Sequence, residues 1–186
     1  VPAGKHTGTC PAAGMAVIRG YSGKEAAGIV IDSRKVEPGD IFVAIRGERV
    51  DGHQFIREVF DKGAIAVVCE EEPEELPGPC IRVEDSLAAL RQIAAFYREQ
   101  MPIPIVGITG SVGKTSTKEF VASVLAQKYK THKTQGNFNN EIGVPLTLLA
   151  MPEDTEAAVV EMGINHFGEM HRLSEMVKPD ICVMTN

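Results

Sequence analysis

Residues 105–117 read IVGITGSVGKTST, an apolar strand pattern that runs through a glycine loop into the start of a helix. That order of residue types suits the gripping of a nucleotide triphosphate. Gly110 and Gly113 free the backbone to turn its amide N–H groups inward, Lys114 supplies a positive charge for the outer phosphates, and the Thr115 hydroxyl is placed to ligate Mg²⁺. With Ser111 and Val112 between the glycines and Ser116 following the threonine, residues 110–116 form the expected phosphate-binding loop. The strict pattern would also put a glycine five positions before Gly113, where Ile108 stands, so the loop is a variant of the form TGSVGKT.

A triphosphate loop needs a divalent ion, and the ion needs an acid. The segment EAAVVEMG supplies one, because Glu161 ends an apolar strand pattern, the usual place for a carboxylate that holds Mg²⁺ directly or through water. Three amides, Asn137, Asn139 and Asn140, crowd the segment GNFNNEIGVP. Two readings stand side by side for them: Asx capping of a tight connection, or amides lining a polar substrate channel. Asp32-Ser33-Arg34 and Asp51-Gly52-His53 are also double-valued. An arginine beside a hydroxyl can clamp a diphosphate or carboxylate, and an ion pair with a helix cap explains the same residues. His166, Glu169 and His171 lack the i, i+4 histidine spacing of a helical zinc site, which leaves His171 as a helix-surface residue and His166 as a candidate.

These residues are carried by an alternation of short apolar runs and helical patterns. Strands are expected at 28–32 and 41–45, split by the turn sequence VEPGD, then a helix with Phe55, Ile56, Val59 and Phe60, strands at 64–70 and 80–84, and a helix over 85–100. The segment MPIP at 101–104 halts that helix and starts an extended chain. Beyond it the pattern predicts strand 103–109, the loop, helix 114–128 with Phe120, Val121, Val124 and Leu125 as its apolar residues, strand 129–134, helix 142–150, strand 157–161, helix 168–177 and strand 180–185. Strands rich in Val and Ile between helices imply an α/β fold with a parallel sheet.

The chain has 186 residues, is 44% hydrophobic and carries a net charge of -6. Without a Lys/Arg run, nucleic acid is not an expected partner, and the acidic run at 70–75 reads as a solvated connector. Cys10, Cys69, Cys80 and Cys182 form no CxxC pair; Cys69 and Cys182 read as small buried hydrophobes in a reducing compartment. No apolar run is long enough to span a membrane. Residues 1–14 read as a weakly ordered leader rather than a signal peptide, and the protein is expected in the cytoplasm.

Taken together, DSRKVEPGDIFVAIRGERVDGHQFI, GAIAVV, GITGSVGKTSTKE, GNFNNEIGVPLTLL and VVEMGINHFGEM resemble the Mur ligase family of peptidoglycan synthesis over residues 15–186. The last two segments are most similar to the branch that adds D-alanyl-D-alanine to UDP-N-acetylmuramoyl-tripeptide. The sibling branch that adds diaminopimelate or lysine shares the DSR, GD and DGH pieces and is the nearest competitor.

The resemblance implies a small N-terminal α/β domain for the UDP end of the substrate, at 15–101, followed by the first part of a P-loop ATPase domain with a parallel sheet, at 102–186. By it, residues 110–116 bind ATP, Thr115 and Glu161 hold Mg²⁺, and Lys114 disperses charge during phosphoryl transfer from ATP to a peptide carboxylate. The acyl phosphate so formed is attacked by the amine of D-alanyl-D-alanine. Ser33, Arg34, Asp51, His53, Asn137, Asn139, Asn140 and His166 are its implied substrate contacts. The family pattern continues past residue 186 with a further metal-binding histidine and a modified lysine, so the chain alone is expected not to complete amide formation. Two other classes compete: a nucleotide kinase or GTPase, disfavoured by the lack of a guanine-reading NKxD, and a UDP-sugar-binding module without turnover.

Overall fold

The computed structural model describes residues 17–19, 25–47, 50–75, 77–164 and 166–186. The expected leader at 1–14 and Cys10 lie outside them. Packing divides the chain into two compact units that meet between Gln92 and Ile93.

In the first unit, strands β1 (Val17–Arg19), β2 (Ile29–Val30), β3 (Ile41–Val43), β4 (Ala66–Cys69) and β5 (Cys80–Arg82) form one sheet in the order β1-β5-β4-β3-β2. All neighbours are parallel except β1 and β5. The centre strand β4 is buried along its whole length, as a parallel strand covered on both faces must be. Helix α1 (Ile56–Asp61) packs Ile56 and Val59 with Phe42, Ala44 and Val67. Strand β2 is shorter than the 28–32 its sequence suggests. Asp32 accepts hydrogen bonds from the Arg34 amide and, through both carboxylate oxygens, from its guanidinium, and these bonds turn residues 33–35 into a 3-10 turn. The Cys69 and Cys80 sulfurs lie 2.9 Å apart as buried free thiols. The contact with Cys80 and burial push the Cys69 thiol up, which keeps it protonated and inert.

The second unit holds β6 (Ile105–Gly110), α3 (Lys114–Leu125), β7 (Thr131–Lys133), α4 (Gly143–Leu149), β8 (Ala157–Glu161), α5 (Glu169–Val177) and β9 (Ile181–Thr185). Its sheet is wholly parallel in the order β7-β8-β6-β9. Ala94 and Met101, in and just beyond the last turns of α2 (Ser86–Gln100), join this unit's core with Val144, Leu148, Leu173 and Val177. This packing is why the division falls inside that helix. Arg98 fixes the arrangement by donating to the carbonyls of Val177 at 2.9 Å and Met101 at 2.5 Å.

Two sequence expectations need correction here. Cys182 is exposed on β9, which among the described residues pairs with β6 alone. Of the four apolar α3 residues expected along the core, Val121 and Leu125 turn to it beside the buried Ala122, while Phe120 and Val124 are exposed. Among the described residues no helix is long and apolar enough to cross a membrane.

One titration follows from the packing. Burial pushes the His132 imidazole on β7 below its ordinary value of 6.5, partly offset by its contact with the Thr147 carbonyl at 3.0 Å. Below pH 6.5 the unfolded chain therefore takes up a proton here more readily than the folded one, so stability falls as pH drops from 6.5 toward the depressed folded value. His132→Gln is expected to flatten that acid limb, read as the difference in urea midpoints between about pH 7.5 and about pH 5.5.

Candidate functional site

The phosphate-binding loop leaves the carboxyl end of β6, the strand at which the sheet order changes direction, where open α/β sheets place ligands. Gly110 has φ +133° and Gly113, the residue before α3, has φ +85°, both backbone conformations that side-chain-bearing residues rarely adopt. Their geometry brings Ser111, Val112 and Gly113 to the surface at the positive end of a twelve-residue helix. The Lys114 ammonium lies across the loop and donates to the Gly110 carbonyl at 2.7 Å. Phosphate oxygens would offer it charged acceptors in place of neutral ones, a stronger bond.

Glu161 is the hub of the site. Along β8 the side chains alternate, so Ala158, Val160 and the following Met162 join the core with α4 and α5, while Val159 packs on the face with α3. Glu161 follows Val159 by two and meets α3 as well. Its Oε1 accepts from the Thr115 hydroxyl at 3.3 Å and from the Asn139 side-chain amide at 2.8 Å, and its backbone N–H donates to Thr134 Oγ1 at 2.9 Å. Asn139 is held in turn by Gly163, whose N–H donates to its carbonyl at 2.6 Å and whose lack of a side chain leaves it room.

Glu161 Oε2 is buried with no hydrogen-bond partner. The nearest cation is the ammonium of Lys118 at 3.6 Å, an ion-pair distance but too long for a hydrogen bond. One hydroxyl and one carboxylate with an unengaged oxygen are hard ligands of the number Mg²⁺ takes from protein when phosphates and waters fill its other positions. Thr115 and Glu161 therefore fit that ion. Among the described residues no group of three or more His, Cys, Asp or Glu side chains is arranged to hold a metal by itself.

The asparagines divide between the two readings. Asn140 caps α4, its side-chain oxygen accepting from the amides of Ile142 and Gly143 at 3.2 and 2.8 Å. Asn139 supports Glu161, and Asn137 is exposed. His166 closes onto Glu169 at the start of α5, through its backbone N–H and through Nδ1 at 2.9 Å. His171 pairs with Glu175 on the helix surface.

The other four candidates belong to the first unit. Arg34 is spread on Asp32 and holds its carboxyl down at about 2; Ser33 is buried, its carbonyl accepting from Lys62. Asp51 is held at about 2 by the backbone N–H and ring of His53, and His53 Nε2 accepts from the Glu70 amide at 2.9 Å, which assigns its ring proton to Nδ1. The acidic run is more than a solvated connector, since Glu70 also accepts from the Ser86 amide and Glu71 pairs with Arg46.

Sequence reasoning passed over Lys118 and Thr134. Lys118 stands in the apolar stripe of α3 with Val121, Ala122 and Leu125, at i+4 from Lys114, a placement that a lysine covering the core with its stem shares.

Two family models match this chain: the Mur ligase middle domain over residues 108–186, and the Mur ligase family, catalytic domain, over residues 25–98. The chain belongs to the Mur ligase family. It is 45% identical over 164 residues to the UDP-N-acetylmuramoyl-tripeptide--D-alanyl-D-alanine ligase of Bacillus subtilis, covering 86% of this chain and 35% of that protein. Among solved structures it is similar to MurF from Acinetobacter baumannii, with a TM-score of 0.80 and 38% identity over 84% of this chain and 34% of that one. MurF ligase from Thermotoga maritima, solved in complex with ADP, matches with a TM-score of 0.78 and 36% identity over 84% of this chain and 36% of its own. The chain thus spans about a third of the length of these Mur ligases.

Proposed function

We propose that this chain carries the UDP-substrate and ATP-binding parts of a cytoplasmic, ATP-dependent ligase that adds D-alanyl-D-alanine to UDP-N-acetylmuramoyl-tripeptide. The observation that carries the reading is the joining of Thr115, at the mouth of the phosphate loop, to Glu161, at the end of the neighbouring strand. The Mur ligase relatives supply the rest, each named for that addition or solved with ADP.

When bound, ATP with Mg²⁺ supplies the phosphoryl group that makes the tripeptide carboxylate an electrophile, phosphate then leaving as the dipeptide amine attacks. The chain's own residues position and neutralise. The loop amides and Lys114 would meet the phosphoryl oxygens, and Thr115 and Glu161 would hold the ion. Asn139 fixes Glu161, while Asn137, Asn140 and His166 line the substrate side. In the N-terminal domain, taken as residues 15–101, Ser33, Arg34, Asp51 and His53 meet the UDP-sugar, the Arg34 guanidinium exchanging Asp32 for a phosphate.

The test is phosphate release by the full-length ligase. Tripeptide precursor with D-alanyl-D-alanine is expected to support ATP turnover. Turnover only with dipeptide precursor and diaminopimelate or lysine would move the assignment to the sibling ligase.

A further inference from the structure

Lys118 is the one charged group of this site that the chemistry above leaves unused. Its side chain is 1% exposed and so is that of Glu161. The ammonium donates to the Gly136 carbonyl at 3.3 Å and lies 3.3 Å from Glu119, which is paired in turn with the half-buried Lys133. Charges therefore alternate from Lys133 through Glu119 and Lys118 to Glu161.

The two oxygens of Glu161 are treated differently. Oε1 takes the bonds from Thr115 and Asn139, whereas Oε2 takes none and faces Lys118 at 3.6 Å. A lysine serving only as a salt bridge would be expected to donate to that oxygen. Here its hydrogen bond goes to the segment that carries the asparagines, and Glu161 receives its field alone. The arrangement compensates a buried carboxylate while leaving one oxygen's lone pairs unused.

We propose that Lys118 is a resident counter-cation of the metal side of the nucleotide site. It positions Glu161 and the Gly136 segment before nucleotide binds, and its charge opposes the entry of a free divalent ion beside Glu161. The ion then enters with the triphosphate, whose negative charge offsets Lys118. This rests on the nucleotide reading of the site and adds to it an order of binding and a positioning residue.

The test uses Mn²⁺ alone as probe, its binding to the chain read by electron paramagnetic resonance without nucleotide. Lys118→Gln keeps a donor for the Gly136 carbonyl but removes the charge. It is expected to bind Mn²⁺ about tenfold or more tightly than the unaltered chain, and Lys118→Arg to match the unaltered chain. Adding Glu161→Gln to Lys118→Gln is expected to abolish the gain. Mn²⁺ should also raise the melting temperature of Lys118→Gln more than that of the unaltered chain. Lys118→Met serves if the glutamine variant does not fold.

Equal Mn²⁺ binding with and without the Lys118 charge would overturn the proposal, as would a gain that survives Glu161→Gln. So would Mn²⁺ bound to the unaltered chain no more weakly without ADP than with it. A separate titration with a fluorescent ATP analogue tells the two failures apart. No analogue binding would remove the nucleotide reading, while equal Mn²⁺ affinities beside normal analogue binding would remove only the role of Lys118.

Discussion

Lys114→Met in the full-length ligase is expected to lower kcat/KM for ATP-dependent phosphate release on the order of 10³-fold, with little change in folding stability. Methionine keeps much of the length of the side chain and loses the charge. What disappears is the one cation that the loop itself holds against the outer phosphates, in a site where electrostatic positioning is most of the catalysis. A loss of that size corresponds to about 4 kcal/mol of transition-state stabilisation. The folded chain uses Lys114 only for contacts to its own loop carbonyls, Gly110 and Ser111, so the melting temperature should scarcely move. Lys114→Arg is a second arm. Its planar fork does not reproduce a point charge that lies 2.7 Å from Gly110 O, and it should also lose activity, by roughly 10²-fold. Activity of the methionine variant within tenfold of the unaltered enzyme would show that Lys114 is not the phosphate cation.

The reasons that Lys114 was legible in sequence and Lys118 was not are physical. A glycine loop between a strand and a helix has few uses, and the lysine and threonine that follow it are fixed in space by the helix start. Glu161 was legible for a similar reason: strand alternation puts it on the same face as Val159, and strand ends are where α/β folds place ligands. Lys118 has no such local signature. A lysine in an apolar stripe reads equally as a stem covering the core with its head in water, and only the pairing of β8 beside β6 brings an acid to meet it.

The order β7-β8-β6-β9 depends on long-range pairing that no single segment encodes, and the same limit produced the errors. An ICVM run is what a central strand looks like, yet among the described residues β9 pairs with β6 alone and Cys182 and Met184 are exposed. Phe120 and Val124 extend the apolar pattern of α3 onto a face the described residues leave uncovered. The three asparagines were undecidable locally because capping and ligand duties use the same side-chain atoms. It took three dimensions to give Asn140 the cap and Asn139 the carboxylate.

Substitution of the loop glycines separates geometry from chemistry, and Gly110→Ala is expected to be the most damaging. At φ +133° an alanine is strained wherever it sits. Here its Cβ would also fall 2.1 Å from the carbonyl oxygen of Thr185, the residue paired with Gly110 across β6 and β9. Backbone in a sheet ladder cannot step aside as a flexible side chain can, so either the pairing or the loop must give. The expected cost is about 3 kcal/mol or more of folding stability. Gly113→Ala isolates the strain alone, because at φ +85° the nearest atom to its Cβ is 4.0 Å away, and it should cost about 1 kcal/mol. Gly136, at φ +51° with nothing within 4 Å, provides the mild end of the series. Urea denaturation of the three variants tests the ranking. A Gly110→Ala chain as stable as Gly113→Ala would mean that β9 does not close against the loop as described, and with it would go the geometry that sets Lys114 over the Gly110 carbonyl.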